Sequence, residues 1–77
     1  MDTSYGTLHS IDSAAVRAHA RAMSIEALAW SARDAWEAAQ AAENLEAAGF
    51  YITKSGGFYR DEASAYRAEL RRREVQA

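Results

Sequence analysis

Between Ser24 and Ala48 the chain contains no glycine or proline, and its apolar residues return every three or four positions. Ile25, Leu28, Ala32, Ala35 with Trp36, Ala39 and Ala42 trace one stripe of an α-helix, the pattern of a face turned towards a neighbouring element. A stripe made mostly of alanine lets a facing helix come close, with Trp36 as its large anchor. Ser24 suits the N-cap, and Met23 and Leu28 have the spacing of a hydrophobic staple. Glu26 falls in the first turn, at the positive end of the helix dipole. Gly49 suits the residue just past the last turn. A helix over 24–48 is therefore expected, and the rest of the chain must cover its stripe.

Two further helices follow from the same reasoning. Asp12 or Ser13 can open a short helix over 12–23, with Val16, Ala20 and Met23 on one face. Nothing between Asp12 and Ala48 forbids a single continuous helix, so the break rests on Ser24. Residues 1–11 are mixed and polar, the composition of a loosely ordered lead-in. A last helix over 57–74 carries Tyr59, Ala63, Tyr66 and Leu70 as a stripe. Asp61 and Glu62 near its start and Arg71–Arg73 near its end both match the helix dipole. The expected fold is all-α in one domain, 1–77. An antiparallel helical hairpin, joined by a loop over 49–56, carries an extra short N-terminal helix and completes a bundle by dimerisation. The acids of the long helix (Glu26, Asp34, Glu37, Glu43, Glu46) and the arginines of the last (Arg60, Arg67, Arg71–Arg73) favour that orientation, which sets Arg71–Arg73 beside Glu26.

Composition narrows the function classes. At 77 residues the chain is near the lower end of what folds alone, where a partner chain often supplies stability. Without cysteine there is no disulfide and no thiolate metal site. A net charge of −2 offers no bulk attraction to nucleic acid or membrane. Residues 1–6 lack a basic region followed by an apolar core, and no run nears the roughly 18 apolar residues of a spanning helix. The expectation is a cytoplasmic protein with no membrane contact.

The stretch AGFYITKSGGFYRDE, residues 48–62, raises two chemical possibilities. A phosphate-binding loop leading into Lys54-Ser55 would need glycine at 48 and 53, where the chain has Ala48 and Thr53. That frame fails. Phe50–Thr53 and Phe58-Tyr59 around Ser-Gly-Gly are a strand-turn-strand cue. An isolated hairpin is marginal, however, and Phe58-Tyr59 are needed to open the last helix, so an irregular connector is favoured. His9 and His19 have no carboxylates spaced to complete a metal site, and no Ser/His/Asp set stands out. Glu43 and Glu46 read as solvated acids. No cofactor, metal or catalytic residue is expected, and the chain is read as a non-enzyme.

Binding residues are easier to nominate. Trp30 lies nearly opposite the Leu28–Trp36 stripe, with Ala27, Ala38, Ala41 and Leu45 as its neighbours on a second apolar face. That face asks for either the N-terminal helix or another copy of the chain. Phe50, Tyr51 and Ile52 are too apolar for a bare loop and are expected to cap the bundle's open end or face a partner. Arg71, Arg72 and Arg73 could touch phosphate or an acidic partner, although Glu69 and Glu74 dilute the patch and favour an ordinary helix end. Trp and Arg are residue types that often dominate affinity. The candidate partner-binding set is Trp30, Leu45, Phe50, Tyr51, Ile52, Arg71, Arg72 and Arg73.

The segments MSIEALAWSARDAWEAAQAAE and GGFYRDEASAYRAELRRR resemble short prophage-encoded proteins of uncharacterised function. The matching positions are Ser24, Glu26, Ala27 and Leu28, then Gly57, Phe58, Tyr59, Asp61, Glu62, Glu69, Leu70 and Arg71–Arg73. The resemblance covers residues 23–73; the N-terminal segment and the longer aromatic loop at Phe50–Ser55 depart from it. It implies a helical hairpin of phage or prophage origin and carries no activity. The functional expectation is a non-catalytic protein–protein interaction module, a homodimer that binds and modulates a host protein. The alternative is a small nucleic-acid-binding regulator using the C-terminal arginines.

Overall fold

The computed structural model describes residues 6–76. Among these it is all-helical, with α1 (Ser13–Ala22), α2 (Ile25–Ala47) and α3 (Gly56–Gln76) and no strand. The first five residues of the expected lead-in lie outside the described residues.

Local chemistry sets each helix end. Asp12 Oδ1 accepts from the Ala15 N–H at 3.1 Å and caps α1. Met23 and Ser24 are extended, and Ser24 Oγ accepts from the Ala27 N–H at 3.1 Å, so the chain leaves one helix and is capped into the next. At the far end of α2, Gly49 takes a positive φ of 89°. The Gly49 N–H donates to the Glu46 carbonyl and the Phe50 N–H to the Leu45 carbonyl, both at 3.0 Å. These are the paired bonds of a Schellman ending, which needs a residue that tolerates the left-handed region.

The connector that follows is neither a hairpin nor a bare loop. The Leu8 N–H donates to the Thr53 carbonyl and the Ser55 N–H to the Leu8 carbonyl, each at 2.9 Å, forming a parallel bridge between Leu8 and Lys54. Thr7 Oγ1 adds a bond to the Ile52 carbonyl at 2.8 Å. The extended tendency of the aromatic and β-branched run is thus used against the residues before α1, not against Phe58-Tyr59. Those two belong to α3, which Ser55 caps: its Oγ accepts from the Phe58 N–H at 3.1 Å.

α3 is the central element. Both α1 and α2 pack on it, and they meet each other far less. The core joins Ala20, Leu28, Ala32, Ala35, Ala63 and Tyr66, with Val16, Met23, Trp36 and Leu70 at its margin. Ile25, expected in the buried stripe, is exposed instead; as the first residue of α2 it sits at the stripe's end.

Near the start of α3, Arg60 grips the Glu43 carboxylate through two bonds of 2.7 Å. The Arg60 and Arg67 guanidiniums lie 4.7 and 5.0 Å from the centre of the Trp36 ring. The expected pairing of Arg71–Arg73 with Glu26 gives way to a closer acid. Arg72 and Arg73 bond Glu69, one turn back on their own helix, and Arg73 Nη2 also donates to the Ala20 and Arg21 carbonyls at 3.2 Å. Spacings of three and four on a helix bring such pairs together, and the carbonyl end of α1 attracts a cation.

The molecule extends 48 × 26 × 15 Å with a radius of gyration of 14.0 Å, against about 11.5 Å for a typical domain of this length. Three helices with α3 in the middle make a thin slab. Among the described residues, one face of α2 has no helix over it.

Candidate interaction surface

That uncovered face carries the second apolar stripe. Ala27, Trp30, Asp34, Ala38, Ala41 and Leu45 follow one another at steps of three and four, which places them along one side of α2. α1 does not cover them, because its apolar face is spent on α3. Trp30 is 62 % exposed and Leu45 44 %, and the Arg33 guanidinium lies 5.8 Å from the Trp30 ring. Scattered apolar side chains on a surface need no explanation, whereas a contiguous row does.

Past the middle of α2 the stripe becomes concave. A groove of about 360 Å³ is lined by Ala38, Ala41, Ala42 and Leu45 from α2, Ile52 from the connector and Tyr59 from α3, with Lys54 among its walls. A second hollow of about 260 Å³ shares Ala38 and Tyr59 with it and is bordered by Asp34, Glu62 and Tyr66. Together they form one furrow along α2. The Schellman turn sets Phe50 and Tyr51 beyond its Leu45 end, 64 % and 63 % exposed. Ile52 is half-buried, anchored through its carbonyl to Thr7.

Charge along this surface is sparse. Asp34 is the one charged residue in the stripe, and Lys54 is the chain's one lysine. Lys54 Nζ lies 5.1 Å from the centre of the Phe58 ring. Among the described residues neither Asp34 nor Lys54 has an ion-pair partner. At the furrow's edge burial pushes the Tyr66 hydroxyl's pKa up, and the nearby Glu62 carboxylate adds to the effect.

The arginine end behaves differently from the aromatic residues. Arg71 is exposed. Arg72 and Arg73 are engaged by Glu69, which is 7 % exposed, and their hydrogen bonds hold its carboxyl down to about 2. The structure therefore separates the candidate set. Trp30 and Leu45 share one surface with the groove wall at Ile52, Phe50 and Tyr51 flank its end, and Arg72 and Arg73 stand apart beside α1.

Two residues with structural roles, Ser55 and Glu69, were missed as such in the sequence. A serine three positions before Phe58 and an acid three and four positions before two arginines were the available signals. His9 and His19 are both exposed, and among the described residues no three acids or histidines are grouped to hold a metal ion. Among the same residues no helix is long and apolar enough to cross a membrane. No protein-family model, curated protein or solved structure matches the chain.

Proposed function

We propose that the protein is a non-catalytic, cytoplasmic interaction module. In this reading α2 and α3 form an antiparallel helical hairpin whose uncovered α2 face binds protein, first of all another copy of the chain. The observation that carries it is the Trp30–Leu45 row, apolar and open to solvent on a helix whose opposite face is already buried. The hairpin is supported by three contacts: Glu43 with Arg60, Trp36 with Arg67, and the core across Leu28 and Tyr66. The floor of the furrow along α2 is mostly alanine, with Leu45, Ile52 and Tyr59 as its larger apolar walls, a lining that suits docking of an apolar side chain.

A prophage origin, implied by the resemblance over residues 23–73, suits a small protein that binds and modulates a host protein. Phe50, Tyr51 and Arg71 lie outside the α2 row and would remain available to such a partner. The nucleic-acid alternative is weakened, because Arg72 and Arg73 are committed to Glu69 and the end of α1.

Light scattering after size exclusion tests the reading. The wild type is expected at twice the 8.5 kDa chain mass. Trp30→Glu is expected at the monomer mass with unchanged helical circular dichroism, because Trp30 contributes no core packing. A wild-type monomer at micromolar concentration would contradict the self-association.

A further inference from the structure

The α2 surface has a protrusion and a hollow on the same stripe. Trp30 stands out at one end; the groove of Ala38, Ala41, Ala42 and Leu45 opens eight to fifteen residues further on, roughly 12 to 22 Å along the helix axis. A twofold dimer requires a self-complementary patch, in which residue i meets j and j meets i. A large knob and an alanine-lined hole on one stripe satisfy that requirement if the second copy runs the opposite way.

We propose that the occupant of the groove is Trp30 of a second copy. The two α2 helices dock antiparallel about a twofold axis near Ala38, and Asp34 of each copy meets Lys54 of the other. This rests on the self-association proposed above and names its geometry.

The charges favour this arrangement. Asp34 has no ion-pair partner among the described residues and shares its hollow with the Glu62 carboxylate, so covering this surface without a cation would be costly. Lys54 lines the groove that the opposing Trp30 would enter. Reversing one helix about the point midway between Glu37 and Ala38 sets Asp34 opposite Ala41 of the other copy, in the groove that Lys54 also lines, and symmetry makes the pair twice. A parallel pairing would set Trp30 against Trp30 and Asp34 against Asp34, with both grooves empty. Like charges facing across an interface are strongly disfavoured. Alanine at 38 and 41 permits the axes to approach to about 8 Å, the close limit for packed helices.

The balance of buried and exposed side chains points the same way. Among the described residues the buried apolar side chains are six alanines with Leu28 and Tyr66, while seven large hydrophobics remain exposed, Trp30 and Leu45 of them on the α2 row. A domain of this size rarely gains more than about 3–5 kcal/mol from its own core. Covering the α2 row would add apolar burial to that core.

Two experiments test the geometry separately from dimerisation itself. In sedimentation equilibrium, Asp34→Lys and Lys54→Asp are each expected to weaken self-association about tenfold or more, the scale of one lost interfacial charge pair. The double reversal should return to within about threefold of wild type. Because the chain has no cysteine, Ala38→Cys should oxidise readily to a covalent dimer, whereas Ala27→Cys, on the same stripe but about 16 Å along the helix from the axis, should not. A wild-type dimer with no charge rescue, or with no cross-link through position 38, would overturn this geometry and leave the broader reading standing. A wild-type monomer would overturn both, and capture of a foreign amphipathic helix by that monomer would assign the groove to a different occupant.

Discussion

The Glu69 carboxylate accepts from Arg72 Nε at 3.0 Å, Arg72 Nη2 at 2.6 Å and Arg73 Nε at 2.9 Å, while Arg73 also reaches the last carbonyls of α1. One acid thus orients the arginine that ties α1 to α3. Its folded pKa of about 2 is depressed from the usual 4.5. The stability it contributes is present above pH 4.5 and lost as the pH falls from there towards 2. Glu43, lowered by its bonds to Arg60, acts in the same direction, so the two must be separated by substitution. Glu69→Gln is expected to lower the melting temperature near pH 7 and to flatten its fall between pH 4.5 and 2, followed by circular dichroism. Hydrogen exchange should quicken first in α1. Matching acid profiles for the variant and the wild type would show that the network does not hold α1.

The start of α3 is an element-scale problem, because only one of the two adjacent glycines there has a steric reason to be glycine. A Cβ on Gly56 would land inside van der Waals contact of Glu43 Cγ, close to the carboxylate that Arg60 grips. A Cβ on Gly57 would meet Ser55 Oγ at an ordinary 3.7 Å. Alanine in a helix is otherwise favoured over glycine by up to about 1 kcal/mol. Gly57→Ala should therefore raise stability by at most about that amount in urea unfolding, and Gly56→Ala should lower it by displacing Glu43. Equal gains from both would mean that the close approach of α2 and α3 at this point costs nothing to relax. The cap residues at Ser24 and Gly49 were legible because their bonds lie within four residues. Ser55 caps α3 over the same short distance, but the two glycines that follow it are poor helix formers and mask the helix start.

At the scale of the whole molecule, Leu28 is the largest fully buried side chain among the described residues. Leu28→Ala is expected to cost about 2–5 kcal/mol, a large share of the roughly 4–12 kcal/mol typical of a chain this long. Denaturant unfolding should show at least partial loss of fold at 37 °C; a loss below about 1 kcal/mol would mean that the core can collapse around the gap. The all-helical class and the second apolar face of α2 could be read from the sequence, because both depend on spacing along a single helix. Where α1 would go could not. Its thin face of Val16, Ala20 and Met23 fits either α2 or α3, and only the assembled fold shows α3 taken, Arg73 bonded to the end of α1, and the Trp30 row left open. The use of Phe50–Thr53 was equally hidden, since its partner, Thr7-Leu8, lies more than forty residues away. Periodicity, caps and charge order are local and were determined by the sequence alone. Which faces meet depends on competition between surfaces brought together only by folding, and the tertiary structure decided it.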